Sequence, residues 1–269
     1  MSRPPLQETS YIRRNLAFSY AFQILFLKGQ NINERFGCKM KRSGSFCTII
    51  ISYIILLLFL VFAGKAGQVS ESPSTREYIL KTIIYCLVII VGYLTSVKLL
   101  DYISKKYTTQ PEKEMPKPKV NVGIKILLSL LSLFLMIIIS LLFKKLFNAN
   151  SIQKTKILPI SISNVKQIYL LLPFVFLRNA LIPAFFEEYY FREKLPGALC
   201  SVCKMPYTLA LLFSSLLFCS AHTGGIYHAL FTFLSAVVLS ILFNYTGTLK
   251  YPIIVHFIYN CITIITLMI

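Results

Sequence analysis

ILLSLLSLFLMIIISLLF, Ile126 to Phe143, runs for eighteen residues without a charge, closed by Lys125 on one side and Lys144-Lys145 on the other. At a helical rise of 1.5 Å per residue it makes a rod of about 27 Å, close to the ~30 Å hydrocarbon thickness of a bilayer. It lacks the apolar/polar alternation of a membrane barrel strand. Comparable runs lie outward from it at 46–64, 78–97, 168–187, 206–222, 226–245 and 251–269. The pattern predicts an all-α polytopic membrane bundle of about seven transmembrane helices. A shorter run, Leu16 to Leu27, follows Arg13-Arg14 and precedes Lys28 without a small-x-small cleavage site. It is expected to be an N-terminal interfacial helix, not a signal peptide.

The whole 269-residue chain fits this reading. It is 56% hydrophobic and 14% charged, against the 45–50% and about 25% usual in soluble domains, which excludes an ordinary cytosolic enzyme and a disordered tail. Lys and Arg number 28 against 10 Asp and Glu, a formal charge of +18. In a polytopic chain such an excess holds topology against anionic lipid, so no nucleic-acid partner is expected. Lys98, Lys105, Lys106, Lys113, Lys117, Lys119 and Lys125 crowd one loop region, whereas 65–77 carries Lys65 and Arg76 alone. That bias predicts an N-terminus inside and a multi-pass protein of the cell membrane. Pro111, Pro116 and Pro118 interrupt 108–119 as a flexible inner loop. The expected regions are 1–150, an interfacial helix and three spans, and 151–269, four spans.

Ionisable side chains are costly in lipid, so their positions are informative. Glu187 and Glu188 close the fourth run, and the three histidines, His222, His228 and His256, all follow it. Glu188 and Arg192 are four residues apart and can pair on one helical face. Glu187, turned about 100° away, is left to face a cavity. A carboxylate in a poorly solvated site suits a general base. His256 and Asn260 share a face in the same way, as do Phe218 and His222. One carboxylate, two imidazoles and an amide on three apolar helices form a set able to activate water and stabilise an oxyanion. The bland alternatives are an acidic pair anchoring a helix at the interface and histidines joining helices. Arg178 and Asn179, between Pro173 and Pro183, read as a kinked cavity-lining helix or a packing device. Cys200-x-x-Cys203 has no second pair or histidine at zinc-finger spacing.

In order along the chain stand Glu187-Glu188-Tyr189-Tyr190-Phe191-Arg192, Phe218-Cys219-Ser220-Ala221-His222 and His256-Phe257-Ile258-Tyr259-Asn260, the last preceded by Thr246-Gly247-Thr248-Leu249. Over about 165–265 this set resembles the three motifs of the CAAX protease and bacteriocin-processing family, also called the abortive-infection or Ras-converting-endopeptidase type of intramembrane protease. The first 150 residues resemble only the variable extra spans of such proteins. Ser214-Ser215 and Lys250 depart from the common pattern without touching a polar site residue. The resemblance implies a membrane endopeptidase in which Glu187 polarises the attacking water and His222 positions it. His256 and Asn260 stabilise the oxyanion, with Glu188 and Arg192 in support. It leaves the cofactor open. Zinc on Glu187, His222 and His256 would justify the label metalloprotease, yet no His-Glu-x-x-His helix is present, and a metal-free, glutamate-activated water suits the same residues. The expected partners are lipid and a peptide or protein cleaved near the membrane surface, a CAAX-type or a leader or signalling peptide. The competing readings are a non-catalytic adaptor or immunity protein of the same fold and, ranked last, a small transporter.

Overall fold

A computed structural model describes residues 42–69, 74–107, 120–146, 165–222 and 225–268. The expected interfacial helix at 16–27 and the loop 108–119 lie outside them. The described residues form seven helices and no strand: α1 (Arg42–Ala66), α2 (Thr75–Tyr107), α3 (Val122–Leu146), α4 (165–203), α5 (Tyr207–Ser220), α6 (Gly225–Thr246) and α7 (Lys250–Met268).

Six of these are long and apolar enough to cross a membrane. The exception is α5, where the apolar run 206–222 yields only fourteen helical residues, about 21 Å. Pro206 takes the N-cap with ψ 137°, outside the helical region, and the chain leaves the helix before His222. The fourth run departs in the other direction. It continues through Glu187 and Glu188 as one rod to Cys203, so the acidic pair sits inside a helix and not at its end.

Two stretches of that rod, Leu177–Leu181 and Tyr189–Lys194, are wound as π-helix. Each ends just before a proline. The amides of Ile182 and Leu195 bond back five residues to Leu177 and Tyr190, and Pro183 and Pro196 come next. A proline supplies no amide and its ring clashes with the carbonyl four residues back. A widened turn accommodates that clash without breaking the helix.

The lipid-facing surface stays apolar, as a membrane requires: Leu130, Leu131 and Phe134 on α3 are exposed. The largest core joins α1 (Ile49, Tyr53, Leu56) and α2 (Ile89, Tyr93, Val97) to Tyr190, Phe191 and Leu195 of α4 and Phe218 of α5. A second packs Met136 of α3 on Val238, Leu239 and Leu242 of α6 and Val255 of α7. The N-terminal spans are therefore packed directly on the helices that carry the motifs.

α1 and α2 meet at Gly92, where an added Cβ would lie 2.5 Å from Phe59 Cβ. That atom is fixed to the backbone and cannot swing aside. Gly92→Ala is expected to lower stability by about 1–3 kcal/mol, as overpacking of a tight interface does. Thermal unfolding in detergent checks this, and a midpoint at or above that of the parent protein would refute it.

Candidate active site

The centre of the site is an ion pair without solvent. Arg192 Nε lies 3.1 Å from Glu188 Oε2, and both side chains have zero exposure. Glu188 Oε1 accepts a hydrogen bond from Nδ1 of His256 on α7 at 2.9 Å, which fixes the proton of that imidazole on Nδ1. The guanidinium also stacks on the Phe218 ring at 4.9 Å. Removing water makes such a pair costly unless both charges are well partnered. Glu188 meets that condition with two cationic or donor partners.

Glu187 is placed differently. Its Oε2 lies 3.9 Å from His256 Nε2, beyond hydrogen-bond reach, and this buried oxygen has no hydrogen-bond partner. The two neighbouring carboxylates thus face the two nitrogens of one imidazole, because the ring spans the 100° that separates them on the helix. An unpartnered buried acceptor beside an imidazole is the place where a water or a substrate atom is bound.

His222 joins through Phe218. Its Nδ1 is 2.8 Å from the Phe218 carbonyl, so Nδ1 carries the proton and Nε2 is left as an acceptor. The Phe218 ring lies 4.6 Å from the His222 ring and 6.3 Å from that of His256, and it packs edge-on against Phe191 at 5.2 Å. The sequence offered Phe218 as a motif letter; the structure makes it the surface on which Arg192 and both imidazoles rest.

Asn260 is half-buried one turn beyond His256 on the same face of α7. His228 is exposed, its ring 6.2 Å from that of His222. Arg178 donates to the Gly67 carbonyl at 3.1 Å and stacks on Tyr85 at 4.2 Å, while the Asn179 amide bonds back to Val175. This is the packing device of the two readings given above. Cys200 and Cys203 are free thiols at the end of α4.

Zinc held by Glu187, His222 and His256 does not fit this arrangement. Among the described residues no three His, Cys, Asp or Glu side chains are grouped so as to hold a metal ion.

Residues 169–262 match the family model described as type II CAAX prenyl endopeptidase Rce1-like. Over that segment the chain is similar to this family of endopeptidases. All three motifs fall within the match, and α1 to α3 lie outside it. No curated protein and no solved structure matches the chain. Six helices among the described residues are long and apolar enough to cross a membrane, and with this similarity they mark an integral membrane protein.

Proposed function

We propose that the protein hydrolyses a peptide bond near the membrane surface with a water activated by Glu187. The observation that carries this reading is the division of labour between the two glutamates. Glu188 is occupied by Arg192 and His256, whereas Glu187 Oε2 is buried, unbonded and turned towards His256 Nε2.

A water between Glu187 and His222 Nε2 gives one proton to Glu187 as its oxygen attacks the scissile carbonyl carbon. Arg192 offsets one of the two carboxylates, so a protonated His256 brings the buried set to zero net charge. Its Nε2–H then donates to the developing oxyanion, together with the amide of Asn260. Collapse of the tetrahedral intermediate breaks the C–N bond, and Glu187 returns its proton to the leaving amine. Glu188 holds the His256 ring in orientation, the service a buried carboxylate performs for a catalytic imidazole. No metal takes part in these steps.

The family description supports a substrate with a prenylated C-terminal CAAX sequence, and leader or signalling peptides suit the same chemistry. The lysine-rich region 98–125 supports an inside N-terminus in the cell membrane. We assign 151–269 to the catalytic bundle and 1–150 to a variable N-terminal region, whose described helices α1 to α3 pack on the motif-bearing helices.

Terminal proteomics on membranes carrying the parent protein or Glu187→Ala at equal abundance tests the reading. New peptide termini are expected with the parent protein alone. Identical termini in both membranes would overturn hydrolysis and favour the adaptor reading.

A further inference from the structure

Ser52 and Tyr53 are consecutive on α1, outside the segment 169–262 covered by the family model. Their side chains reach two different helices of the site. Ser52 Oγ lies 3.3 Å from the Tyr190 hydroxyl on α4. The Tyr53 hydroxyl lies 2.7 Å from the Leu217 carbonyl and 2.6 Å from Ser220 Oγ on α5. Ser220 Oγ is itself 2.9 Å from the Leu217 carbonyl, so three oxygens close a triangle at the end of α5.

A helix end is where hydrogen bonds run short. The last carbonyls of a helix lose their partners in the following turn, and side chains can take the place of those amides. The Leu217 carbonyl receives the Ala221 amide at 3.2 Å and the Tyr53 hydroxyl at the shorter distance. His222 depends on this same turn. Its amide bonds to the Cys219 carbonyl at 3.1 Å, and its Nδ1 returns to the Phe218 carbonyl. Wherever the turn 217–220 goes, the imidazole goes with it. Tyr53 is 5% exposed and packs edge-on against Phe191 at 6.4 Å, so its hydroxyl is held against the α4 residue that also supports Phe218.

We propose that Tyr53 is a positioning residue: from a span outside the family-matched segment, its hydroxyl fixes the C-terminal turn of α5 and thereby the His222 imidazole. This rests on the peptidase reading above. The hydroxyl touches no reacting atom. It acts through the placement of His222, and a displacement of about 1 Å in a catalytic group is enough to cost roughly 10²-fold in rate.

Tyr53→Phe removes the hydroxyl and keeps the ring. The test uses the full chain in detergent and has two arms. In the first, the three histidines are isotope-labelled and their ring signals followed by NMR, with the His222 signal assigned by its loss in His222→Ala. Tyr53→Phe is expected to shift the His222 signal and leave that of His256 in place. In the second arm, a quenched S-prenylated peptide ending in Cys-aliphatic-aliphatic-X reports hydrolysis. Here kcat is expected to fall about tenfold or more while KM stays within about twofold. In a His222→Ala background the same substitution is expected to cause no further loss, since residues acting through one another are non-additive. If Tyr53→Phe does not fold, Ser220→Ala opens the same triangle and is read in the same way. An unmoved His222 signal overturns the proposal, and so does an equal fold-loss in both backgrounds. A parent protein that leaves this peptide intact refutes the prenylated-substrate reading instead, and the NMR arm then decides by itself whether Tyr53 places His222.

Discussion

Glu187→Gln protein is expected to fold as the parent does and to hydrolyse its peptide about 10²–10⁴-fold more slowly, the range a positioned general base contributes. The substitution keeps size and shape, and Glu187 makes no ion pair shorter than the 3.9 Å approach to His256. Its removal therefore takes away proton acceptance without breaking a structural bond. Single-turnover hydrolysis by purified protein, beside a thermal melt, measures both halves of this expectation. Hydrolysis at the parent rate would remove Glu187 from the mechanism. An equal loss of stability would mean that the carboxylate is structural after all.

Arg192→Met is expected to do the reverse, striking stability first. It leaves Glu188, with zero exposure, as a buried carboxylate facing only His256. Removing one member of a buried pair costs about 3–5 kcal/mol, which for a chain of this size lowers the melting midpoint by on the order of 10 °C. Loss of the guanidinium stacked on Phe218 adds to the effect. The double variant Glu188→Gln/Arg192→Met removes both charges together and is expected to regain most of the lost stability. It is not expected to regain activity, because His256 Nδ1 then lacks the carboxylate that orients its ring. Differential scanning calorimetry in detergent gives the comparison. A double variant as unstable as the single one would show that the pair holds the helices together by more than charge compensation.

How much of this was legible in the sequence depends on the range of the interaction. Glu188 with Arg192, and His256 with Asn260, are four residues apart, and a helix brings such residues together whatever surrounds it. The concentration of Glu and His in the later spans was equally readable, since each charge placed in lipid must have a reason to be there. The 2.9 Å bond between Glu188 and His256 crosses 68 residues, and helical spacing contains no trace of it. The family resemblance implied only a supporting role for Glu188. The structure adds the hydrogen bond from His256 Nδ1 to Glu188 Oε1. The π-wound turns before Pro183 and Pro196 were also out of reach, because a proline inside an apolar run is compatible with a kink, a break or a widened turn, and neighbouring helices decide among them. The apolar run at 206–222 was read as a full span because hydropathy counts residues and does not register where α5 stops.

By itself the sequence determined the material of the protein: apolar runs, most of them helices long enough for a bilayer, and the three runs that carry an acid, two imidazoles and an amide. Those facts follow from local composition and from the free-energy cost of polar groups in lipid. The tertiary structure alone decided which partners each polar group meets. Two adjacent glutamates are the same side chain in sequence. One is neutralised by Arg192 and His256 and the other is left unbonded, because packing sets which partners arrive. The link from Tyr53 to Leu217 spans 164 residues, and such a contact exists only once the helices have assembled.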